Sequence, residues 1–131
     1  MIKLIIKYSL LSAILWTLII FVLCCTPGQY IPTTNWLELL SFDKFVHLSI
    51  FFGLVFLWLL AINQIKTRTK SLKYTILISA IIYGGLLELM QANIFSHRSG
   101  DWFDFIANTA GCILAYWFFD RIIKNIEKFE S

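Results

Sequence analysis

The 131-residue sequence predicts an all-α fold, a polytopic membrane protein with four transmembrane helices in one bundle and both termini cytoplasmic. Three observations predict it. First, the chain is 59% hydrophobic, 17% aromatic and only 15% charged, with a mean hydropathy of +0.76, where soluble domains carry roughly a quarter charged residues. Second, four apolar runs, each near the ~20 residues of a bilayer-crossing helix, take up almost everything except short links. Third, the basic residues fall on alternate sides of those runs, nearly all on one side of the bilayer.

The first run extends from Tyr8 to Cys25. It follows Lys3 and Lys7 as a signal peptide would, but it exceeds the usual apolar core of such a peptide and no small-residue cleavage site follows, so it is read as a span. The link "TPGQYIPTTNWLELLSFDK" stops it at Pro27 and Gly28, and Pro32 prevents its resumption. Within the link "NWLELLSF" predicts a short interfacial helix anchored by Trp36. The remaining runs are Phe45 to Ile62, Tyr74 to Phe95, and Trp102 or Phe103 to Phe119, joined by "NQIKTRTKSLK" and "SHRSGD". Residues 1–131 thus form a single transmembrane domain with spans at about 8–25, 45–62, 74–95 and 102–119. Cys24, Cys25 and Cys112 lie inside apolar runs without metal-ligand spacing and are read as small apolar side chains.

Lys3, Lys7, Lys66, Arg68, Lys70, Lys73, Arg121, Lys124 and Lys128 fall on one side, against Lys44 and Arg98 on the other. This asymmetry predicts the orientation. A net charge of +3 invites a nucleic-acid reading, but the basic residues flank apolar runs as topology signals do, and nucleic acid is rejected as a partner. The cytoplasmic halves of the runs lack charges, so a complete proton path is missing.

The polar residues converge at one depth. Asp43, Lys44 and His47 stand at the outer mouth of the second run, Glu88 and Gln91 in the outer half of the third, and Asp104 and Asn108 in the first turns of the fourth. At about 100° per residue, Asp104, Asn108, Gly111 and Ala115 share one stripe, and Ala80, Gly84, Glu88 and Gln91 share another. Small residues spaced by four let membrane helices approach closely, so the face that packs is the face that carries acids and amides. On the second run this rule breaks down, since Ser49 and Gly53 lie opposite His47, and contact with the first span on that other face is the one account the sequence offers. An ionised group at mid-membrane costs about 2.5–3.5 kcal/mol on the lenient insertion scale. Arg98, in the outer loop, is the expected countercharge, with a planar fork suited to a carboxylate or a phosphate. Asp101 reads as a helix N-cap.

"DKFVH" (Asp43, Lys44, His47), "GLLELMQ" (Gly85, Glu88, Gln91), Arg98, Asp104, Asn108 and Gly111, together with Pro27 and Gly28, resemble the VanZ-like family of small bacterial membrane proteins. One departure is visible, since members often carry Pro-Gly-Arg where this chain has Ser96, His97 and Arg98. The resemblance implies a helical protein of the bacterial cytoplasmic membrane. It also implies a link to antibiotic resistance, because the founding member is associated with low-level resistance to the glycopeptide teicoplanin, which acts on lipid-linked wall precursor. It supplies no reaction.

Three readings of the polar set stand side by side. In one, Asp43, Lys44, His47, Glu88, Gln91, Arg98, Asp104 and Asn108 bind a ligand, either a lipid-linked wall precursor or a glycopeptide, with Arg98 and Lys44 taking an anion and Gln91 and Asn108 reading sugar or amide groups. In the second, Glu88 or Asp104 is a general base and His47 or His97 a proton carrier in a membrane enzyme. In the third, the set is only interhelical glue. No nucleophile elbow, P-loop or HExxH appears, the histidine and carboxylate spacing matches no metal signature, and no cofactor is assigned. Membrane lipids are the expected partners.

Overall fold

A computed structural model describes residues 2–26, 36–65, 69–94 and 100–130, and the described residues are helical almost throughout. In chain order the helices are α1 (Ile2–Lys7), α2 (Ser9–Cys25), α3 (Trp36–Asn63), α4 (Lys70–Asn93) and α5 (Trp102–Glu130). The all-α expectation holds. Tyr8 separates α1 from α2 with φ −105° and ψ 20°, yet Tyr8 N–H still donates to Leu4 O at 3.0 Å and Ser12 N–H to Tyr8 O at 2.9 Å. The two pieces are nearly one helix.

Three boundaries differ from the sequence expectation. The short helix expected at Trp36 is the beginning of α3 itself, because no proline or glycine between Trp36 and Gly53 interrupts the hydrogen-bonded backbone. α4 begins at Lys70, ahead of Tyr74, because Thr69 caps it by accepting from Leu72 N–H at 3.2 Å. α5 passes Phe119 and runs for 29 residues, since its charged second half still buries Ile123 and contains no helix breaker. Two of the described helices are long and apolar enough to cross a membrane, Phe42–Asn63 and Lys70–Asn93, while Ser9–Cys25 is apolar but has 17 residues.

α3 is the central element, packing against α2, α4 and, most extensively, α5. Its Phe51, Leu54, Val55 and Leu59 are buried among Ile20 of α2, Ala80 and Leu87 of α4, and Cys112, Ala115 and Phe119 of α5. The small residues set the approach distances. A Cβ placed on Gly111 would collide with the Leu48 carbonyl oxygen, so the backbones of α3 and α5 touch there. On the opposite side of α3, a Cβ on Gly53 would lie 3.3 Å from Nε1 of Trp16, whose indole donates to Ile50 O at 3.0 Å. Helix α2 is therefore the neighbour that Gly53 meets. Thr17 supplies two more ties: Trp58 Nε1 donates to its hydroxyl at 3.1 Å, and Tyr83 OH donates to its carbonyl at 2.8 Å. None of the three cysteines forms a disulfide.

The outer surface is apolar in the same measure. Ile78, Ile82, Leu86 and Leu89 of α4 are all more than half exposed, on the side away from buried Ala80, Gly84, Glu88 and Gln91. Leu11, Leu15, Leu18 and Val22 line α2 in the same way. Water-soluble monomers rarely expose stripes of this size.

Candidate functional site

The polar residues gather where α3 and α5 begin and α4 ends. On α3, Asp43 and His47 are one turn apart, and Lys44 lies beside them. On α5, Asp101 precedes the first turn, with Asp104 and Asn108 one and two turns on. Asp101 caps α5 as expected, its Oδ1 accepting from Phe103 N–H at 2.9 Å.

Lys44 bridges the two helices. Its ammonium donates to Asp101 Oδ2 at 2.7 Å and to Asp104 Oδ1, with Asp43 Oδ2 at 3.6 Å. The Lys44 side chain keeps 22% of its surface and that of Asp104 only 12%, so the pair is shielded from bulk water. The Lys44 hydrogen bond and the Phe103 N–H hold the Asp101 carboxyl below its ordinary pKa.

His47 is oriented from behind. Its Nδ1 stands 2.9 Å from Asn108 Oδ1, an acceptor, so the ring donates through Nδ1–H. Its Nε2 faces Asp43 Oδ1 at 3.6 Å and Asp104 Oδ2 at 3.8 Å. Each of these aspartates turns its other oxygen toward Lys44.

Glu88 and Gln91 have a different task. Glu88 Oε2 accepts from Asp101 N–H at 3.0 Å, which ties the end of α4 to the start of α5. Gln91 Nε2 donates to Cys24 O at 3.3 Å, which ties α4 to the end of α2. Both side chains are buried, at 9% and 4% exposure, and each satisfies a backbone group of a neighbour. Gln91 thus turns toward α2, away from the Lys44 cluster. Glu88 and Asp101 also border a cavity of about 370 Å³ between α4 and α5, whose walls are Gly85, Leu89, Ala92, Trp102 and Phe105.

The two stripes read from the sequence are both buried: Asp104, Asn108, Gly111 and Ala115 on α5, and Ala80, Gly84, Glu88 and Gln91 on α4. His97 and Arg98 lie outside the described residues. Asp101, read from the sequence only as a cap, is also an ion partner of Lys44. Its spacing of three from Asp104, which puts both at the same helix start, was the available signal.

The VanZ/LLP1 family model matches residues 8–124. An uncharacterised protein of fission yeast, Schizosaccharomyces pombe, is 31% identical over 100 residues, 75% of this chain and 59% of that protein. The chain therefore spans a little under three fifths of that relative's length. No solved structure matches. Family and apolar helices together mark a membrane protein, and the chain belongs to the VanZ/LLP1 family.

Proposed function

We propose that this is a multi-pass protein of the bacterial cytoplasmic membrane that recognises an amphipathic, lipid-linked envelope ligand at its outer face. In this reading four helices, α2 to α5, cross the bilayer, both termini are cytoplasmic, and the Lys44 cluster lies near the outer leaflet. The nine-to-two distribution of basic residues supports the orientation. A reporter active only in the cytoplasm, fused at either terminus, tests it, and activity at one end alone rejects it.

The observation that carries the ligand reading is the cavity between α4 and α5. Its apolar walls suit an acyl or isoprenoid chain, while Glu88 and Asp101 stand at its border beside Lys44, Asp104 and His47, which suit a polar head. Arg98, which the sequence places between α4 and α5, is the expected fork for an anionic group. The test is lipid co-purified in mild detergent and identified by mass spectrometry. A specific lipid-linked species is expected with wild type and is reduced several-fold in Ala92→Phe, which narrows the cavity, and in Arg98→Ala. An unchanged bulk-lipid profile in both variants removes this reading and favours the structural network. Glycopeptide resistance is its narrower form, tested by teicoplanin susceptibility with protein level held constant.

One observation favours catalysis as a second reading. His47 is held by Asn108 through Nδ1, and its Nε2 faces two carboxylates, as an oriented proton carrier requires. Turnover of a lipid-linked substrate that survives His47→Ala rejects it.

A further inference from the structure

The geometry points to a divalent-cation site formed by Asp43, His47 and Asp104, which goes beyond the ligand reading and stands without it. The three residues bring one donor atom each within 4.8 Å of one another, from α3 and α5. Asp43 Oδ1 and Asp104 Oδ2 stand 3.6 and 3.8 Å from His47 Nε2, too far for hydrogen bonds. Ligands about 2.1 Å from a tetrahedral ion lie about 3.4 Å apart, so the two carboxylate oxygens are already near that spacing from Nε2, and side-chain rotation that draws them together seats a cation.

The surroundings are those of a supported metal site. Asn108 Oδ1 accepts from Nδ1–H, which leaves Nε2 facing the two carboxylates. A cation between them joins the three donors. A partner on the far nitrogen is the usual support of a metal-bound histidine. Both aspartates turn one oxygen to Lys44 and the other to the His47 side, so the ammonium and the cation do not compete for the same atoms.

Charge balance is an independent indication. Asp43, Asp101 and Asp104 bring three carboxylates to this half-buried place, and Lys44 is the one ammonium among the described residues there. A divalent ion offsets the remainder. One imidazole and two carboxylates suit zinc or manganese, and three protein ligands leave positions for water or a ligand oxygen. On the ligand reading, those positions give an acidic site its grip on a phosphate or hydroxyl head group.

The test uses full-length protein in detergent, carrying a histidine-free tag, stripped with a chelator and titrated calorimetrically with Zn²⁺ or Mn²⁺ alone. One saturable site per chain is expected. Binding weakens at least tenfold in His47→Ala and in Asp43→Asn, and about tenfold in Asn108→Ala, whose side chain positions the ring. Asp43 is half exposed, so its variant keeps the fold, which circular dichroism verifies. Absence of saturable binding to folded wild type, or wild-type affinity in Asp43→Asn and His47→Ala, overturns the proposal. Folded wild type that retains its specific lipid but shows no saturable cation binding overturns the cation site alone, while a cation-binding protein that retains none overturns the ligand reading alone.

Discussion

Lys44 on α3 and Asp104 on α5 form an ion pair across the most extensive helix contact among the described residues, with only 22% and 12% of their side chains exposed. Breaking a shielded pair from one side leaves the other charge uncompensated, and fully buried cases cost about 3–5 kcal/mol. Lys44→Met is therefore expected to lower stability by about 2–3 kcal/mol, since water still reaches the ammonium. Thermal unfolding in detergent measures it. The double variant Lys44→Met/Asp104→Asn should lose less than the sum of the singles, by about 1–3 kcal/mol, and additive losses would show that the two groups are not coupled.

Gly111 and Gly53 are both small residues on packing faces, but their substitutions should differ. A Cβ on Gly111 meets the Leu48 carbonyl, a backbone group that yields only if α3 and α5 separate, whereas one on Gly53 meets the Trp16 ring at 3.3 Å. Gly111→Ala is expected to cost about 1–3 kcal/mol or more, and Gly53→Ala clearly less. Equal melting temperatures for the two variants would contradict this packing.

Glu88 acts on the Asp101 N–H. Glu88→Gln keeps an acceptor oxygen and should leave stability nearly unchanged, while Glu88→Ala leaves a backbone donor unpaired and should cost about 1–2 kcal/mol. A large loss in Glu88→Gln, in stability or in any turnover found, would mean that the charge of Glu88 matters beyond this bond.

Asp101 makes stability depend on pH in one direction. Its carboxyl is held below the ordinary value of 3.8 in the folded protein, chiefly by Lys44, so the folded state gains from the ionised form. That contribution is complete above pH 3.8 and is lost as pH falls through the lower folded value. Melting temperatures of wild type and Asp101→Asn, which retains a capping oxygen, should differ by a constant amount from pH 7 to 5 and converge below 3.8. A gap that instead widens in acid would reverse the assignment.

Much of the site was legible because helical phase is a local property. The spacings Asp104–Asn108–Gly111–Ala115 and Ala80–Gly84–Glu88–Gln91 repeat near 3.6 residues whatever else the chain does, and both sets are buried. The interfacial helix at Trp36 was misplaced for a related reason. Composition marks an amphipathic stretch, but only hydrogen bonding decides whether it stops before the next helix.

The amino-acid sequence by itself determined the helices, their apolar character and which face of α4 and of α5 would be buried, because these follow from side-chain type and backbone period. Partner choice came only with the tertiary structure. Lys44 and Asp104, or His47 and Asn108, are about sixty residues apart, and spacing along the chain says nothing of distances across a bundle. Packing of Gly111 on the α3 backbone sets those distances. It divides one polar set into two, with Glu88 and Gln91 satisfying neighbouring backbone while Asp43, Lys44, His47 and Asp104 concentrate charge.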